Sequence, residues 1–364
     1  MFNARNTYYF KKILPFPVIW FIAAFLYALI EKGILGDSTL YPSTGNSYDF
    51  KNSLRIVVLG SILMGFILGI LEVTLFRNLL SRKSFLLKVS AKVFIYIFAI
   101  SLFLSFFNVF NSIIEFDAGL FDPRVIESLT AFVGNYAFVS IIIYAGVFSF
   151  IGFFVIESID GLGLNIVSNF FTGKYERPRI EERIFMFLDM KSSTTIAEKL
   201  DNIAYYKLLK SYYKHMTEPI ISTKGEIYQY VGDEIVISWP VDEGLKNQNC
   251  LRCFFGIKDR IEKQRDFFEE NFSIFPQFKA GIHLGQVTAG TIGVIKKEIL
   301  YTGDTLNTTA RIQSVCNELQ SNLLVSSDLV DRIGNQHDFK IEEKGDFELR
   351  GKNEKVTLFE VSII

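Results

Sequence analysis

Residues 185–195 read Phe-Met-Phe-Leu-Asp-Met-Lys-Ser-Ser-Thr-Thr, a stretch that predicts a strand followed by a helix in the second half of the chain. Its apolar run predicts a buried β-strand that ends in Asp189. A run of hydroxyl residues then begins a predicted helix, whose first backbone N–H groups can bind phosphate. The candidates for phosphate binding are Ser192, Ser193 and Thr194. An acid beside such a helix start suits a metal ion and a phosphate; the alternative is that the hydroxyls only cap the helix, with Glu198 completing a capping box.

A second acid lies in residues 228–237, which read Tyr-Gln-Tyr-Val-Gly-Asp-Glu-Ile-Val-Ile. Two β-branched and aromatic runs meet at Gly232-Asp233, a pattern that predicts a tight hairpin turn. If this hairpin lies beside the first strand, Asp189 and Asp233 converge. Two carboxylates can then hold two Mg²⁺ ions and leave open positions for substrate phosphates. An aspartate in a turn is, by itself, usually structural.

A third motif, residues 303–311, reads Gly-Asp-Thr-Leu-Asn-Thr-Thr-Ala-Arg. Asn307 and Arg311 are four residues apart, so on a helix they share a face and can direct an amide and a guanidinium at one target. An isolated Asn/Arg pair of this kind is normally a solvated helix face.

The segments around these motifs predict helices that alternate with pairs of strands. The predicted strands are 183–189, 225–231, 234–240, 277–284, 286–292, 298–302, 322–326, 339–349 and 355–363. The predicted helices are 193–216, 243–272, 304–317 and 327–333. Such an order indicates an α+β fold with a largely antiparallel sheet rather than a doubly wound parallel one.

Together the motifs resemble the catalytic domain of the class III adenylyl and guanylyl cyclases, over about residues 183–363. Two further segments carry the resemblance. They are Gly-Ile-His-Leu-Gly-Gln-Val-Thr-Ala-Gly-Thr-Ile-Gly at 281–293 and Leu-Arg-Gly-Lys-Asn-Glu-Lys-Val-Thr-Leu-Phe-Glu-Val at 349–361. All the motifs occur in the order of the family. The resemblance implies a ferredoxin-like α+β domain that forms a homodimer with active sites shared across the interface.

The resemblance also implies a role for each motif. Asp189 and Asp233, with the backbone carbonyl of Met190, would hold two Mg²⁺ or Mn²⁺ ions per active site. From the other subunit, Asn307 would orient the ribose and Arg311 would stabilise the reacting phosphate. The reaction is attack of the ribose 3′-oxygen on the α-phosphorus, with pyrophosphate leaving. The residue types suit it, because metal ions activate the hydroxyl and a guanidinium meets the charge that develops.

Further substrate contacts follow from the same resemblance. Lys352, or Arg350 beside it, stands where the family has a basic residue for the triphosphate. Gln229 replaces the Lys of adenylyl and the Glu of guanylyl cyclases at the first base-reading position, and its amide can donate or accept. Leu300 and Thr302 are both candidates for the second position. We expect ATP as substrate, with GTP as the alternative, because ATP is commoner among bacterial members of the family.

Two rival interpretations remain open. Residues 231–235 are similar to the Gly-Gly-Asp-Glu-Phe turn of diguanylate cyclases, but Val231 replaces the first glycine and the Asn307–Arg311 motif is foreign to that family. The other rival is a degenerate cyclase-like module that only binds nucleotide or a partner. No nucleophilic side chain is needed for cyclisation, so His215, His283 and His337 are interpreted as structural or surface residues.

The first part of the chain predicts an α-helical membrane domain. Nearly all of the apolar excess behind a mean hydropathy of +0.27 lies before residue 160. A bilayer span needs about 18 or more uncharged residues, and four segments meet this or come close. They are Ile13–Ile30, Ile56–Phe76, Val93–Phe110 and Thr130–Ile156. In the second, the Gly65-x-x-x-Gly69 pattern fits either a dimer contact or packing within one bundle, and Glu72 either faces the bundle or pairs with Arg77.

Basic residues indicate the orientation of these spans, because loops rich in Lys and Arg stay in the cytoplasm. They precede the first span (Arg5, Lys11, Lys12) and lie between the second and third (Arg77, Arg82, Lys83, Lys88, Lys92). We therefore expect both termini and the catalytic domain on the cytoplasmic side of a bacterial inner (plasma) membrane, with the lipid bilayer as a partner.

The predicted organisation is a membrane domain at 1–156, a linker at 157–182 and a catalytic domain at 183–364. A further hypothesis is that the spans act as a receptor and that the linker transmits their state. A net charge of −1 with interleaved signs argues against a nucleic-acid partner. The three cysteines, Cys250, Cys253 and Cys316, are expected to be reduced core residues, since no second Cys/His pair accompanies the Cys-x-x-Cys.

Overall fold

The computed structural model describes residues 10, 12–40, 48–76, 83–162, 169, 172–334, 338–348 and 355–363. They form two compact units, one in Tyr8–Val167 and the other in Ser168–Ile364. The division at residues 156 and 182 stays a prediction. Both ends of the predicted linker, residues 157–182, belong to regular secondary structure. A helix continues to Leu162, and the first strand begins at Arg179.

The first unit is built of helices. These are α1 (Pro15–Leu35), α2 (Phe50–Leu71), α3 (Phe85–Phe116), α4 (Pro123–Val133) and α5 (Tyr136–Leu162). All but α4 are long and apolar enough to cross a membrane, as the sequence predicts. The predicted start of the fourth span at Thr130 is wrong, because Thr130 belongs to α4, which ends at Val133 and is followed by Gly134. The next helix, α5, begins at Tyr136, where the Asn135 side chain accepts a hydrogen bond from N–H of Ala137 at 2.9 Å.

Two glycines of α2 pack inside this bundle. A Cβ on Gly65 would lie 2.5 Å from Cα of Pro17, and one on Gly69 would lie 2.9 Å from Cγ2 of Ile13. Glycine is therefore required where α2 meets the beginning of α1. The Gly65-x-x-x-Gly69 face is covered by the same chain, which favours packing within one bundle over a dimer contact.

Buried charges connect three of the helices. Lys92 of α3 forms an ion pair with Glu72, which stands in the π-helical turn Glu72–Phe76 after α2. Its Nζ also lies 2.6 Å from Oε1 of Glu157 on α5. The prediction that Lys92 belongs to a loop is wrong, because α3 begins at Phe85 and carries Lys92 into the bundle. Glu72 faces the bundle, as one of its two interpretations predicts, and Arg77 lies outside the described residues.

The second unit contains a sheet with helices. The strands are β1 (Arg179–Met190), β2 (Glu226–Val231), β3 (Glu234–Pro240), β4 (Phe278–Ile292), β5 (Glu298–Thr302), β6 (Leu323–Ser326), β7 (Phe339–Phe347) and β8 (Val356–Ile363). The helices are α6 (Ser193–Lys199), α7 (Asn202–Ser222), α8 (Val241–Leu245), α9 (Asn249–Glu262), α10 (Arg265–Phe272), α11 (Asp304–Val315) and α12 (Ser327–Ile333).

The described strands form one sheet in the order β2-β3-β1-β4-β6-β8-β7, with β5 paired to β4. Every pairing is antiparallel except β4 with β6. The β1-α-β2-β3-α-β4 segment has the ferredoxin-like strand order β2-β3-β1-β4. The predicted α+β fold with a largely antiparallel sheet is therefore confirmed.

The sheet is covered on both faces. One face of β1 and β3 packs against α7 and α9, and the three cysteines are buried core residues, as predicted. Burial raises the pKa of the Cys250 and Cys253 thiols to about 12, so neither is a reactive thiolate. The opposite face carries a second core around Phe185 and Tyr301, next to α11.

Candidate active site

Asp189 is the penultimate residue of β1 and lies opposite Lys279 of β4. Nε2 of Gln313, on α11, donates a hydrogen bond to Oδ2 of Asp189 at 3.0 Å. Nζ of Lys279 lies 3.9 Å from the same oxygen and is almost completely buried. The carboxylate at the end of the strand is thus held by one directional donor and one nearby positive charge.

Asp233 occupies the hairpin turn between β2 and β3, as the sequence predicts. The pair Val231–Glu234 closes the turn, and Gly232 adopts φ +64°, a conformation that favours glycine. The Tyr213 hydroxyl donates to the carbonyl of Gly232 at 2.8 Å and so fixes the turn against α7. Because β3 pairs with β1 up to Leu188–Ile235, the turn lies beside the end of β1.

The two carboxylates therefore meet. Burial, and then hydrogen bonding and charge from Asp233, raise the pKa of Asp189 to about 6. The pKa of Glu234 is raised to about 7 by burial and by the same two acids. Oδ2 of Asp233 is buried and finds no hydrogen-bond partner among the described residues. A buried, unpaired carboxylate oxygen beside a second carboxylate fits a hard divalent cation, which would compensate both charges.

A cavity of about 570 Å³ opens beside Asp189. It is lined by Asp189, Met190, Lys191, Ser192, Ser193, Thr194, Lys279, Cys316, Asn317 and Gln320. Ser192 takes the N-cap position of α6 with φ +56° and makes no side-chain capping hydrogen bond within the described part of the chain. The capping interpretation of these hydroxyls is thus not supported, and two lysines border the space in which a phosphate chain would lie.

Asn307 and Arg311 lie on α11, which packs closely on β4. A Cβ on Gly281 would lie 2.4 Å from N of Gln313, so glycine is required at this contact. The buried side of α11 includes Gln313, whereas Asn307 is exposed and Arg311 is half-buried. Nη1 of Arg311 is buried and has no hydrogen-bond partner in the parts of the chain that the structure describes. The structure therefore joins Gln313, and not this pair, to the carboxylate of Asp189.

The proposed base-reading residues lie on β2 and β5. Gln229 is exposed beside a bulge in β2, Leu300 is half-buried and Thr302 is exposed. The two strands touch nearby, since the hydroxyl of Tyr228 accepts a hydrogen bond from N of Tyr301 at 3.3 Å. The two candidates for the triphosphate contact, Arg350 and Lys352, lie outside the described residues.

Three residues near the carboxylates were missed from the sequence: Gln313, Lys279 and Tyr213. Gln313 follows Thr305 and Thr309 at a spacing of four, which marks the buried face of α11. This periodicity could have identified it as a polar residue on a buried face. His283 is structural, as predicted: it is buried and its Nδ1 lies 2.8 Å from Oγ of Ser326. His337 lies outside the described residues.

This fold and site define a class of protein. Residues 176–361 match the adenylate and guanylate cyclase catalytic domain, and the chain belongs to that family.

Among its relatives, Adenylate cyclase 2 of Rhizobium meliloti (strain 1021) is 34% identical over 209 residues, which cover 57% of this chain and 58% of the relative. Adenylate cyclase 1 of the same organism is 26% identical over 187 residues, 50% of this chain and 27% of the relative. The chain thus spans less than two thirds of either relative. The crystal structure of the adenylyl cyclase CyaB from P. aeruginosa aligns with 52% of this chain and 97% of its own, at 18% identity and a TM-score of 0.46.

Proposed function

We propose that this protein is a membrane-anchored nucleotide cyclase that converts ATP, or alternatively GTP, into the 3′,5′-cyclic nucleotide and pyrophosphate. The observation that carries the proposal is the meeting of Asp189 and Asp233, one with a raised pKa and the other with an unpaired buried oxygen. Membership of the cyclase family and relatives named adenylate cyclase support ATP as the substrate.

Each residue has a distinct task in this proposal. Asp189, Asp233 and the carbonyl of Met190 would hold two Mg²⁺ or Mn²⁺ ions, which supply activation of the ribose hydroxyl and neutralise the phosphates. Residues 192–194 line the cavity beside Asp189, and their backbone N–H groups would bind the triphosphate. Asn307 orients the ribose, and Arg311 stabilises charge at the α-phosphate.

The active site is completed by a second copy of the chain. On an α-helix each residue turns by about 100°, so Arg311 and Gln313 point about 160° apart. Since Gln313 contacts Asp189 of its own chain, Arg311 faces away from that carboxylate. A two-fold dimer would allow each Arg311 to reach the carboxylates of its partner. The chain anchors in the bilayer through α1, α2, α3 and α5, with the catalytic unit on the cytoplasmic side.

The test is a product assay on the full-length protein in detergent micelles, with Mg²⁺ or Mn²⁺ and with ATP and GTP supplied separately. We expect a 3′,5′-cyclic nucleotide and pyrophosphate, and we expect Asp233→Ala to abolish turnover. Asp242→Ala is the matched control, since Asp242 is exposed at the start of α8. Full activity of the Asp233 variant would rule out the assignment of the metal-binding carboxylates, and a cyclic dinucleotide product would indicate a diguanylate cyclase.

A complementation experiment tests the dimer. The Asp233→Ala and Arg311→Ala chains, each expected to be inactive alone, carry different tags and are co-expressed. They are purified as one mixture that contains both kinds of homodimer and the mixed dimer. Half of randomly formed dimers pair the two variants and contain one intact site, so the mixture should recover about a quarter of the wild-type rate. Absence of any recovery in a confirmed mixed dimer would contradict the shared site.

A further inference from the structure

Gln313 donates a hydrogen bond to Asp189, and the proposed cyclisation assigns no role to this residue. Its side chain is 6% exposed and donates to Oδ2 of Asp189 at 3.0 Å. The position of the donor is fixed from behind, because the backbone of Gln313 lies against Gly281, where a Cβ would come within 2.4 Å of the Gln313 nitrogen. A neutral donor is therefore held at a defined place beside the first carboxylate.

We propose that Gln313 is a positioning residue for metal binding: its hydrogen bond to Oδ2 holds the carboxylate of Asp189 in one orientation, in which Oδ1 would be available to a cation. The inference rests on the proposed function and deepens it. An aspartate side chain rotates about two bonds, and a hydrogen bond to one oxygen selects one of its orientations. An amide donor does so without adding a positive charge that would compete with the metal.

Lys279 cannot replace this contact. Its Nζ is 3.9 Å from Oδ2 of Asp189, beyond hydrogen-bonding distance, so it contributes charge without direction. Tyr213 acts on the other acid, through the carbonyl of Gly232. The two acids are thus held by different elements: α7 fixes the turn that carries Asp233, and α11 donates directly to the carboxylate of Asp189.

The alternative interpretation is that Gln313 is a polar core residue whose hydrogen bond to Asp189 only satisfies its buried amide. That interpretation predicts a less stable fold with unchanged affinity for metal. The positioning role predicts weaker metal binding by a protein that remains folded, and the two are separable by experiment.

The first experiment measures Mn²⁺ binding to the full-length protein in micelles without nucleotide, by the loss of the free-ion electron paramagnetic resonance signal. Gln313→Met keeps the length of the side chain and removes the donor; Gln313→Leu is a second variant in case the first does not fold. We expect about 10- to 100-fold weaker binding, the range found when groups that orient metal ligands are removed. Ser314→Ala is the control, since Ser314 is exposed and its hydroxyl donates to the carbonyl of Arg311 at 2.7 Å, away from the carboxylates.

Wild-type Mn²⁺ affinity in a folded Gln313→Met protein would overturn the proposal. Folding is checked in a Trp20→Phe background by the fluorescence of Trp239, which is then the one remaining tryptophan and is fully buried in the catalytic unit.

The second experiment uses the mixed dimer of Asp233→Ala and Arg311→Ala chains, in which the Arg311→Ala chain supplies the working carboxylates. Gln313→Met should lower the rate when placed in that chain and leave it unchanged in the other. An equal loss with either placement would show that α11 is disturbed as a whole, and would overturn the positioning role. An inactive parent dimer would count against the shared site alone, because the Mn²⁺ measurement decides the role of Gln313 independently.

Discussion

Replacing Asp189 with Asn should stabilise the catalytic unit when no divalent ion is present. Burial and the neighbouring Asp233 raise the pKa of Asp189 from 3.8 to about 6, so the folded state disfavours the charged carboxylate. At 1.36 kcal/mol per unit of pKa, this rise corresponds to about 3 kcal/mol. Since 27% of the Asp189 side chain remains exposed, solvent screening reduces the expected gain to about 1–2 kcal/mol.

The size of this stabilisation depends on pH. Below about pH 4 the carboxyl is protonated in both the folded and the unfolded chain, so its burial costs no stability. As the pH rises from about 4 to above 6, the unfolded chain releases this proton more readily than the folded one, and stability is lost. The amide that replaces the carboxyl in the variant is not charged at any pH. The advantage of Asp189→Asn should therefore be full above about pH 7 and absent near pH 4.

The assay is thermal unfolding of the full-length protein in micelles with a chelator. The chain has two tryptophans, so Trp20→Phe in every sample leaves Trp239, which is buried and donates its indole N–H to the carbonyl of Thr223 at 2.9 Å. A gain of 1–2 kcal/mol should raise the transition temperature by about 2–8 °C, given about 2–4 °C per kcal/mol for a domain of this size. Exposed Asp242→Asn is the control.

Excess Mg²⁺ should narrow or reverse the difference, because it stabilises only the chain that retains both carboxylates. An unchanged or lower transition temperature for Asp189→Asn at about pH 8 without divalent ions would mean that the two carboxylates do not repel each other in the folded chain, and would count against the proposed metal site.

Three further substitutions test the supports of the site and of the bundle. Tyr213→Phe removes the donor to the carbonyl of Gly232 and should raise the Mn²⁺ concentration for half-maximal activity several-fold. The control, Tyr212→Phe, removes a buried hydroxyl that has no hydrogen-bond partner among the described residues and should leave that concentration unchanged. Equal effects of the two substitutions would contradict a role of the Tyr213 hydroxyl in holding the turn. Gly281→Ala should destabilise the catalytic unit by about 1–3 kcal/mol in the same fluorescence-monitored thermal unfolding, because the added methyl would lie 2.4 Å from the backbone nitrogen of Gln313. An unchanged stability would contradict this close contact between α11 and β4. Lys92→Met removes the buried ion pairs of Lys92 with Glu72 and Glu157, while Lys88 remains 3.6 Å from Glu157, and should cost about 3–5 kcal/mol. The measurement is the loss of the monodisperse peak in size-exclusion chromatography, and a stable variant would show that the ion pairs of Lys92 are dispensable.

The sequence predicted the strand ends that matter most for the site. Asp189 and Asp233 were placed correctly because an apolar run that ends in an acid and a Gly-Asp turn are both local patterns. The prediction that β4 is two strands, broken at Gly285, is wrong. A Cβ on Gly285 would lie 2.6 Å from Oγ1 of Thr305, so this glycine serves the approach of α11 and not a turn. A contact between residues distant in sequence cannot be read from a local pattern.

Helix breaks were missed for the same reason. The predicted helix 243–272 is interrupted at Asn247 and Gln248, which adopt φ +52° and +54° without a glycine or proline to mark the site. The predicted helix 193–216 ends early because Asp201 caps a new helix, α7, by accepting the N–H groups of Ile203 and Ala204. Lys92 is predicted to lie in a loop because it directly precedes the uncharged run that starts at Val93. Its two acidic partners lie 20 and 65 residues away in sequence, so no local pattern indicates that it is buried.

The two faces of α11 lead to a last prediction, that specific activity falls on dilution. Gly281 holds the backbone of this helix against β4, so α11 cannot rotate to exchange Gln313 for Arg311 at the carboxylate of Asp189. We therefore expect an isolated chain to lack a guanidinium at the proposed metal site, and a second chain to supply it. The rate per mole of protein in micelles should drop once the concentration falls below the dissociation constant of the dimer, and a covalent link between two chains should restore it. Undiminished specific activity in samples shown by sedimentation to be monomeric would mean that Arg311 serves its own chain.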